Sequence, residues 1–194
     1  AHTFAVRSID AAGNADGSPA TRSFTVDTGA PQTTITADPG ALTNDATPDF
    51  AFASSEPGAT FECRVDGAAF APCTSPRTVS SLADGEHTFE VRSTDAAGNT
   101  DPTPSARVFT VDTDPPQTSI TGGPDGVTGN ARPTLTFSSS ESGSQFQCRV
   151  DDDAFAACDS PFTTATLSDG AHAVEVRAID AAGNPDPTPA ARSF

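Results

Sequence analysis

The string Asp-Ala-Ala-Gly-Asn occurs three times, opening at Asp10, Asp95 and Asp180 and closing at Asn14, Asn99 and Asn184. Two residues after each Asn stands another Asp: Asp16, Asp101 and Asp186. Carboxylate and amide oxygens at this density are the ligands that a hard cation such as Ca2+ takes. The same residue types also make tight turns, because Gly and Asn tolerate positive φ and Asp and Asn side chains bond nearby backbone. The EF-hand spacing D-x-[DN]-x-[DN]-G is absent. A turn explains Gly98 and Asn99 but not the two Asp that flank them.

Four cysteines and three histidines are the other candidates for chemistry, and each falls on a repeated position. A catalytic site is an asymmetric convergence of nucleophile, base and orienting group. Residues that recur at a fixed interval are better explained by a fold, and no G-x-S-x-G, H-E-x-x-H or phosphate-binding Gly loop occurs. A non-catalytic chain is therefore expected. "FECRVDGAAFAPC" and "FQCRVDDDAFAAC" each hold a C-x9-C pair. Folded as hairpins with the cysteines opposite, they turn at Ala68 and Asp153. Disulfides Cys63–Cys73 and Cys148–Cys158 are then sterically sensible. Each closes a short loop and contributes roughly 2.5–3 kcal/mol. Zinc is disfavoured, since one Cys pair per repeat leaves a site two ligands short.

The elements that position these residues come from a repeat. "HTF" at His2 recurs at His87, and "HAV" follows at His172, each step being 85 residues. Gln32 to Phe109 aligns with Gln117 to Phe194 without a gap. The period divides the chain into residues 1–30, matching only the last part of a unit, a complete unit at 31–115 and a nearly complete one at 116–194. The opening part cannot bury its own apolar face and needs a front half, supplied upstream or by a neighbouring copy.

Short alternating segments between turn residues mark each unit as all-β. In the middle unit seven strands are expected, near 33–36, 49–54, 60–65, 70–73, 78–82, 87–94 and 106–111, which suits a Greek-key sandwich. The inner layer would hold Ile35, Phe50, Phe52, Phe61, Val65, Leu82, Phe89, Val91, Phe109 and Val111. Glu62, Arg64, Glu90 and Arg92 take the outer face as a cross-strand charge ladder. Alternating strand direction puts the 55–59 loop, the Asp95 turn and the chain entry at one pole. The Val-Asp-Thr that ends one unit then meets the next unit's loops. Asp27 would approach Glu56, Asp95, Asn99 and Asp101. Asp112 and Asp114 would approach Glu141, Asp180, Asn184 and Asp186. Two readings stand for these junctions: bound Ca2+, or a solvated acidic hinge with ordinary turns.

Composition limits partners. The formal charge is −16, Asp supplies 20 of 26 carboxylates, and Lys, Trp and Tyr are absent. Nucleic acid and anionic membrane surfaces both need clustered cations. No apolar run approaches membrane-spanning length. Disulfides point to an extracellular or cell-surface location.

"VDTGAPQTTIT", "LADGEHTFEVRSTDAAGN" and "FTVDTDPPQTSIT" resemble the bacterial immunoglobulin-like repeats of large secreted and surface proteins. Their fold is similar to fibronectin type III and bacterial adhesin modules. The resemblance implies tandem sandwiches, and arrays of this class are often stiffened by junction calcium. Where related repeats carry a corner Tyr, this chain has His2, His87 and His172, so a corner bond to backbone must come from imidazole.

The expected role is a structural segment of an extracellular Ig-like array, a stiff stalk or fibre. Its partners are neighbouring repeats or copies of the same protein. The alternative is an adhesin or accessory module recognising glycan or a surface protein. The lack of Trp and Tyr platforms weakens that alternative.

Overall fold

The computed structural model describes residues 1–194, all strands and loops with no helix. A hairpin comes first, β1 (His2–Val6) against β2 (Ala20–Phe24). A first sandwich follows: β3 (Thr33–Ala37), β4 (Leu42–Thr43), β5 (Asp49–Ser54), β6 (Thr60–Val65), β7 (Ala71–Cys73), β8 (Arg77–Thr78), β9 (Gly85–Thr94) and β10 (Ser105–Val111). A second comprises β11 (Thr118–Gly122), β12 (Thr134–Ser139), β13 (Gln145–Val150), β14 (Ala156–Cys158), β15 (Phe162–Thr163), β16 (Ala173–Ile179) and β17 (Ala190–Ser193).

In the first sandwich the sheet β3-β5-β8 packs on β4-β10-β9-β6-β7. The second has β11-β12-β15 on β14-β13-β16-β17, with no counterpart of β4. Alternation along the strands explains the layers. Phe50 and Phe52 of β5, Phe89 and Val91 of β9, and Phe109 and Val111 of β10 are buried together. Ile35, Phe61, Val65 and Leu82 pack against them. Each fully buried Phe or Val stabilises the fold by roughly 1.5–3 kcal/mol.

Two strands differ from expectation. The segment expected at 78–82 is a ladder only over Arg77–Thr78. Its next partner is Pro48, whose carbonyl accepts from Val79 but which has no N–H to return. Leu82 then bonds Ala46 outside any ladder. The short β4 lies among turn residues and pairs parallel with Thr110–Val111 of β10. The chain reaches it from β3 by switching sheets at Gly40, which has φ +92°.

The cysteine hairpins also close differently. Cys63 lies opposite Ala71 and Cys73 opposite Phe61, so the cysteines are diagonal rather than opposite. The turn is at Asp66–Gly67, not Ala68, because both residues take positive φ (52° and 70°) and Ala68 N–H closes on Val65. In the second hairpin Asp151 takes φ 52° and Asp153 N–H closes on Val150, so the turn again precedes Asp153. Both disulfides form across this diagonal with Cα atoms 5.8 Å apart, within the favoured range.

The charge ladder is present. Arg64 meets Glu90 through two bonds of 2.7 and 2.8 Å, and Arg92 meets Glu62 at 3.0 and 2.8 Å. Phe70 is held between the two guanidinium groups, 4.4 and 4.2 Å from its ring centre. Phe155 takes the same place between Arg149 and Arg177.

The two cores are not copies. Phe50 stacks on Phe89 at 4.1 Å in the first. One period on stand Leu135 and Val174, and the lost volume is partly restored by Phe162, which packs inward where Arg77 stands exposed. Hairpin β1–β2 has neither facing sheet. Phe4 and Phe24 are 60% and 49% exposed, whereas Phe89 and Phe109, one period on, are 1% exposed.

Candidate junction site

The repeated turn is self-contained. Asp95 Oδ1 accepts from the N–H groups of Ala97 and Asn99, both at 2.8 Å, and Oδ2 accepts from Asn99 Nδ2 at 2.8 Å. Asp180 and Asn184 repeat this at 2.8 and 2.7 Å. So do Asp10 and Asn14 in the lone hairpin, at 2.8 and 2.9 Å. The bond from Asn99 is the main cause holding the Asp95 pKa below its ordinary value. Asp180 is also lowered: burial pushes it up, but the bonds from Asn184 and Gly183 outweigh that.

The second Asp of each string does something else. Asp101 Oδ2 accepts from Thr33 N–H at 2.7 Å, and Oδ1 from the N–H and hydroxyl of Thr103, both at 2.9 Å. Asp186 bonds Thr118 and Thr188 in the same way. Both carboxylates are almost fully buried. Burial opposes their charge, yet these bonds win and hold each pKa below the ordinary range. Asp101 and Asp186 are thus staples tying β3 and β11 to the following hairpin loop of the same sandwich. Their oxygens are committed there.

What converges at the junctions is a smaller set. One carboxylate oxygen each from Asp27, Glu56 and Asp95 lie within 4.8 Å of one another. Asp112, Glu141 and Asp180 form the same group one period on. Each triad draws one residue from the linker, one from the loop after β5 or β12, and one from the turn after β9 or β16. The Glu is set by its own N–H, which donates to Ser54 Oγ at 3.3 Å for Glu56 and to Ser139 Oγ at 3.2 Å for Glu141. Asn99 and Asn184 also reach the junction, but as donors. Their Nδ2 groups bond the carbonyls of Asp27 at 3.2 Å and Asp112 at 2.8 Å.

Asp114 is outside the second triad, although its charge is felt there. Burial first, then the charges of Asp112, Asp180 and Asp114, push the Glu141 carboxyl pKa up. Position 29, one period earlier, is Gly. Three like charges from different elements repel across the junction. An oxygen-only set of this kind suits a hard cation, which would convert repulsion into cross-linking.

Sequence reasoning assembled Asp27 with Glu56 and Asp95, and Asp112 with Glu141 and Asp180. It did not separate Asp101 and Asp186 from them. The missed signal was the Thr two residues after each Asp, which marks an Asx turn. Pro31 and Pro116, next to the linkers, are fully buried.

Residues 31–113 match the family described as the bacterial Ig-like domain. The match covers the first sandwich, from Pro31 to Thr113. Among solved structures it is similar to the fibronectin(III)-like modules of CbhA from Clostridium thermocellum. That match has a TM-score of 0.56 at 19% identity and covers 84% of this chain and 92% of that one. The likeness shows a shared sandwich fold. Looser likenesses are a Ca2+-stabilized adhesin of an Antarctic bacterium that binds ice and a 1.5-MDa bacterial ice-binding adhesin. The first has a TM-score of 0.47 at 20% identity and covers 98% of this chain. The second has 0.42 at 17% identity and covers 99%. The chain spans 55% and 73% of those two. No curated protein matches the chain.

Proposed function

We propose that this chain is a non-catalytic, load-bearing segment of an extracellular array of Ig-like repeats, in which Ca2+ at each junction fixes the angle between successive sandwiches. The observation that carries this reading is the recurrence of one carboxylate triad, from linker, loop and turn, at both junctions. Asp27, Glu56 and Asp95 would hold one ion, and Asp112, Glu141 and Asp180 the other. Asp114 would add negative field at the second. Three carboxylates leave room for waters and carbonyls in a six- to eight-oxygen shell. Asn99 and Asn184, together with buried Pro31 and Pro116, support short, ordered junctions. Two disulfides support an oxidising location. The partners are neighbouring repeats or further copies, and any cell-surface or glycan ligand belongs outside this segment.

Calcium titration with small-angle scattering tests the proposal. Added Ca2+ should raise the melting temperature and lengthen and narrow the distribution of maximum dimension, and EDTA should reverse both. A chain whose melting and dimensions ignore EDTA would rule the ion out.

A further inference from the structure

Both ring nitrogens of His87 face acceptors. Nδ1 lies 2.7 Å from Asp66 Oδ2, and Nε2 lies 2.8 Å from the carbonyl of Ala83. A carbonyl has no proton to give. Burial pushes the Asp66 carboxyl pKa up, but the bonds from His87 and from Thr88 N–H, the latter at 2.9 Å, outweigh it and hold it below the ordinary value, so Asp66 is ionised at neutral pH. Both nitrogens must therefore donate, and the ring is an imidazolium. His172 repeats the arrangement with Asp151 at 2.8 Å and the Ser168 carbonyl at 3.0 Å. The bond to Asp66 first, and the Ala83 carbonyl next, raise the His87 pKa above its ordinary value.

The corner held by this ring does a second job. Asp84, the residue after Ala83, accepts from the N–H of Thr113 at 3.0 Å and from its hydroxyl at 2.8 Å. Thr113 lies in the linker between Asp112 and Asp114. The chain of contacts runs from the Asp66 turn through His87 to the corner, and from the corner to the linker. Asp66 is the charged group bonded to the ring, Asp84 is turned to Thr113, and Glu86 precedes the ring on β9. From β10 the ring meets uncharged Phe109 at 5.9 Å.

We infer that His87 is a proton-linked latch on the linker: as an imidazolium it fixes the corner that seats Thr113, and on losing a proton it releases that corner. The carboxylate holds its proton more strongly than the neutral carbonyl does, so Nε2 is the nitrogen that deprotonates. Its lone pair then faces the Ala83 oxygen, and the contact becomes repulsive. Asp84 loses its fixed position and Thr113 its seat. The latch acts on the linker whether or not an ion binds at the junction.

NMR titration of the whole chain from about pH 5 to about pH 9, across the ordinary His range, tests this. His87 should titrate above its value in the urea-unfolded chain, and the Thr113 amide shift should follow the same curve. Asp66→Asn, tolerated at positive φ, should lower both midpoints together by about one unit, a tenfold loss of proton affinity. Asp151→Asn should move His172 alone. Asp84→Ala should leave the His87 curve in place and abolish the Thr113 response. The inference is overturned if the wild-type His87 midpoint is at or below the unfolded value. It is equally overturned if Thr113 does not follow His87, or still follows it in Asp84→Ala.

Discussion

The side-chain amide of Asn184 donates to the backbone carbonyl of Asp112, 72 residues earlier, at 2.8 Å. It also donates to Asp180 at 2.7 Å, so one side chain both closes the turn and grips the preceding unit's linker. Asn99 does the same for Asp27 at 3.2 Å. Replacing Asn184 with Ala should cost about 1–2 kcal/mol in urea unfolding of the second sandwich. It should also broaden the distribution of angles between the sandwiches in residual dipolar couplings. Unchanged couplings would mean that the linker is held by other contacts.

Asp27 and Asp101 should separate cleanly by mutation. Asp101→Ala strands the buried N–H of Thr33 and should cost about 2 kcal/mol with or without Ca2+. Asp27→Ala lies on an exposed linker and removes one of three repelling carboxylates, so in EDTA its melting temperature should equal or slightly exceed that of wild type. What it should lose is the calcium-induced rise attributed to the first junction. Equal effects of the two substitutions in EDTA would contradict this division.

Thr164 is fully buried, and its hydroxyl has no partner. Val79 fills the same place one period earlier and belongs to the first core. Thr164→Val keeps the shape and removes an unpaired polar group. It should raise the stability of the second sandwich by about 1 kcal/mol in chemical denaturation. A loss of stability would imply an undetected partner for the hydroxyl.

Stability should pass through a maximum in mildly acidic solution. Asp101 and Asp186 are held below the ordinary 3.8, so their contribution is complete above that value and is lost as pH falls through the lower folded one. His87 and His172 are raised above 6.5, so theirs is complete below that value and is lost as pH rises through the folded one. Melting temperatures measured in EDTA should therefore be highest between about pH 4 and about pH 6.5. A profile still rising at pH 8, about 1.5 units above the ordinary His value, would contradict the histidine assignment.

Strand positions and the inner layer were legible because alternation is a local property: Phe50 and Phe52, or Phe89 and Val91, declare their face two residues at a time. The junction triads were legible because strand direction fixes which loops share a pole. Contacts that depend on register were hidden. The diagonal cysteines follow from the left-handed Asp66, which composition does not reveal. Phe70 is absent from the expected inner layer, and its place against Arg64 and Arg92 shows only once the strands carrying them are paired. Asp101 reads as a free ligand until β3 brings Thr33 N–H to it.

The unequal cores have a consequence for folding. Tandem neighbours this similar in sequence can pair the front of one with the last hairpin of the other during synthesis or refolding. Here such hybrids are mismatched. The front of the first sandwich with β16–β17 would set Phe50 against Val174 and leave a void. The front of the second with β9–β10 would crowd Phe89 against Leu135 and Phe162. Underfilled and overfilled interiors both cost stability. Moving the aromatic bulk from one strand to another thus works as a molecular key, so that each hairpin fits its own lock and adjacent repeats are discouraged from swapping.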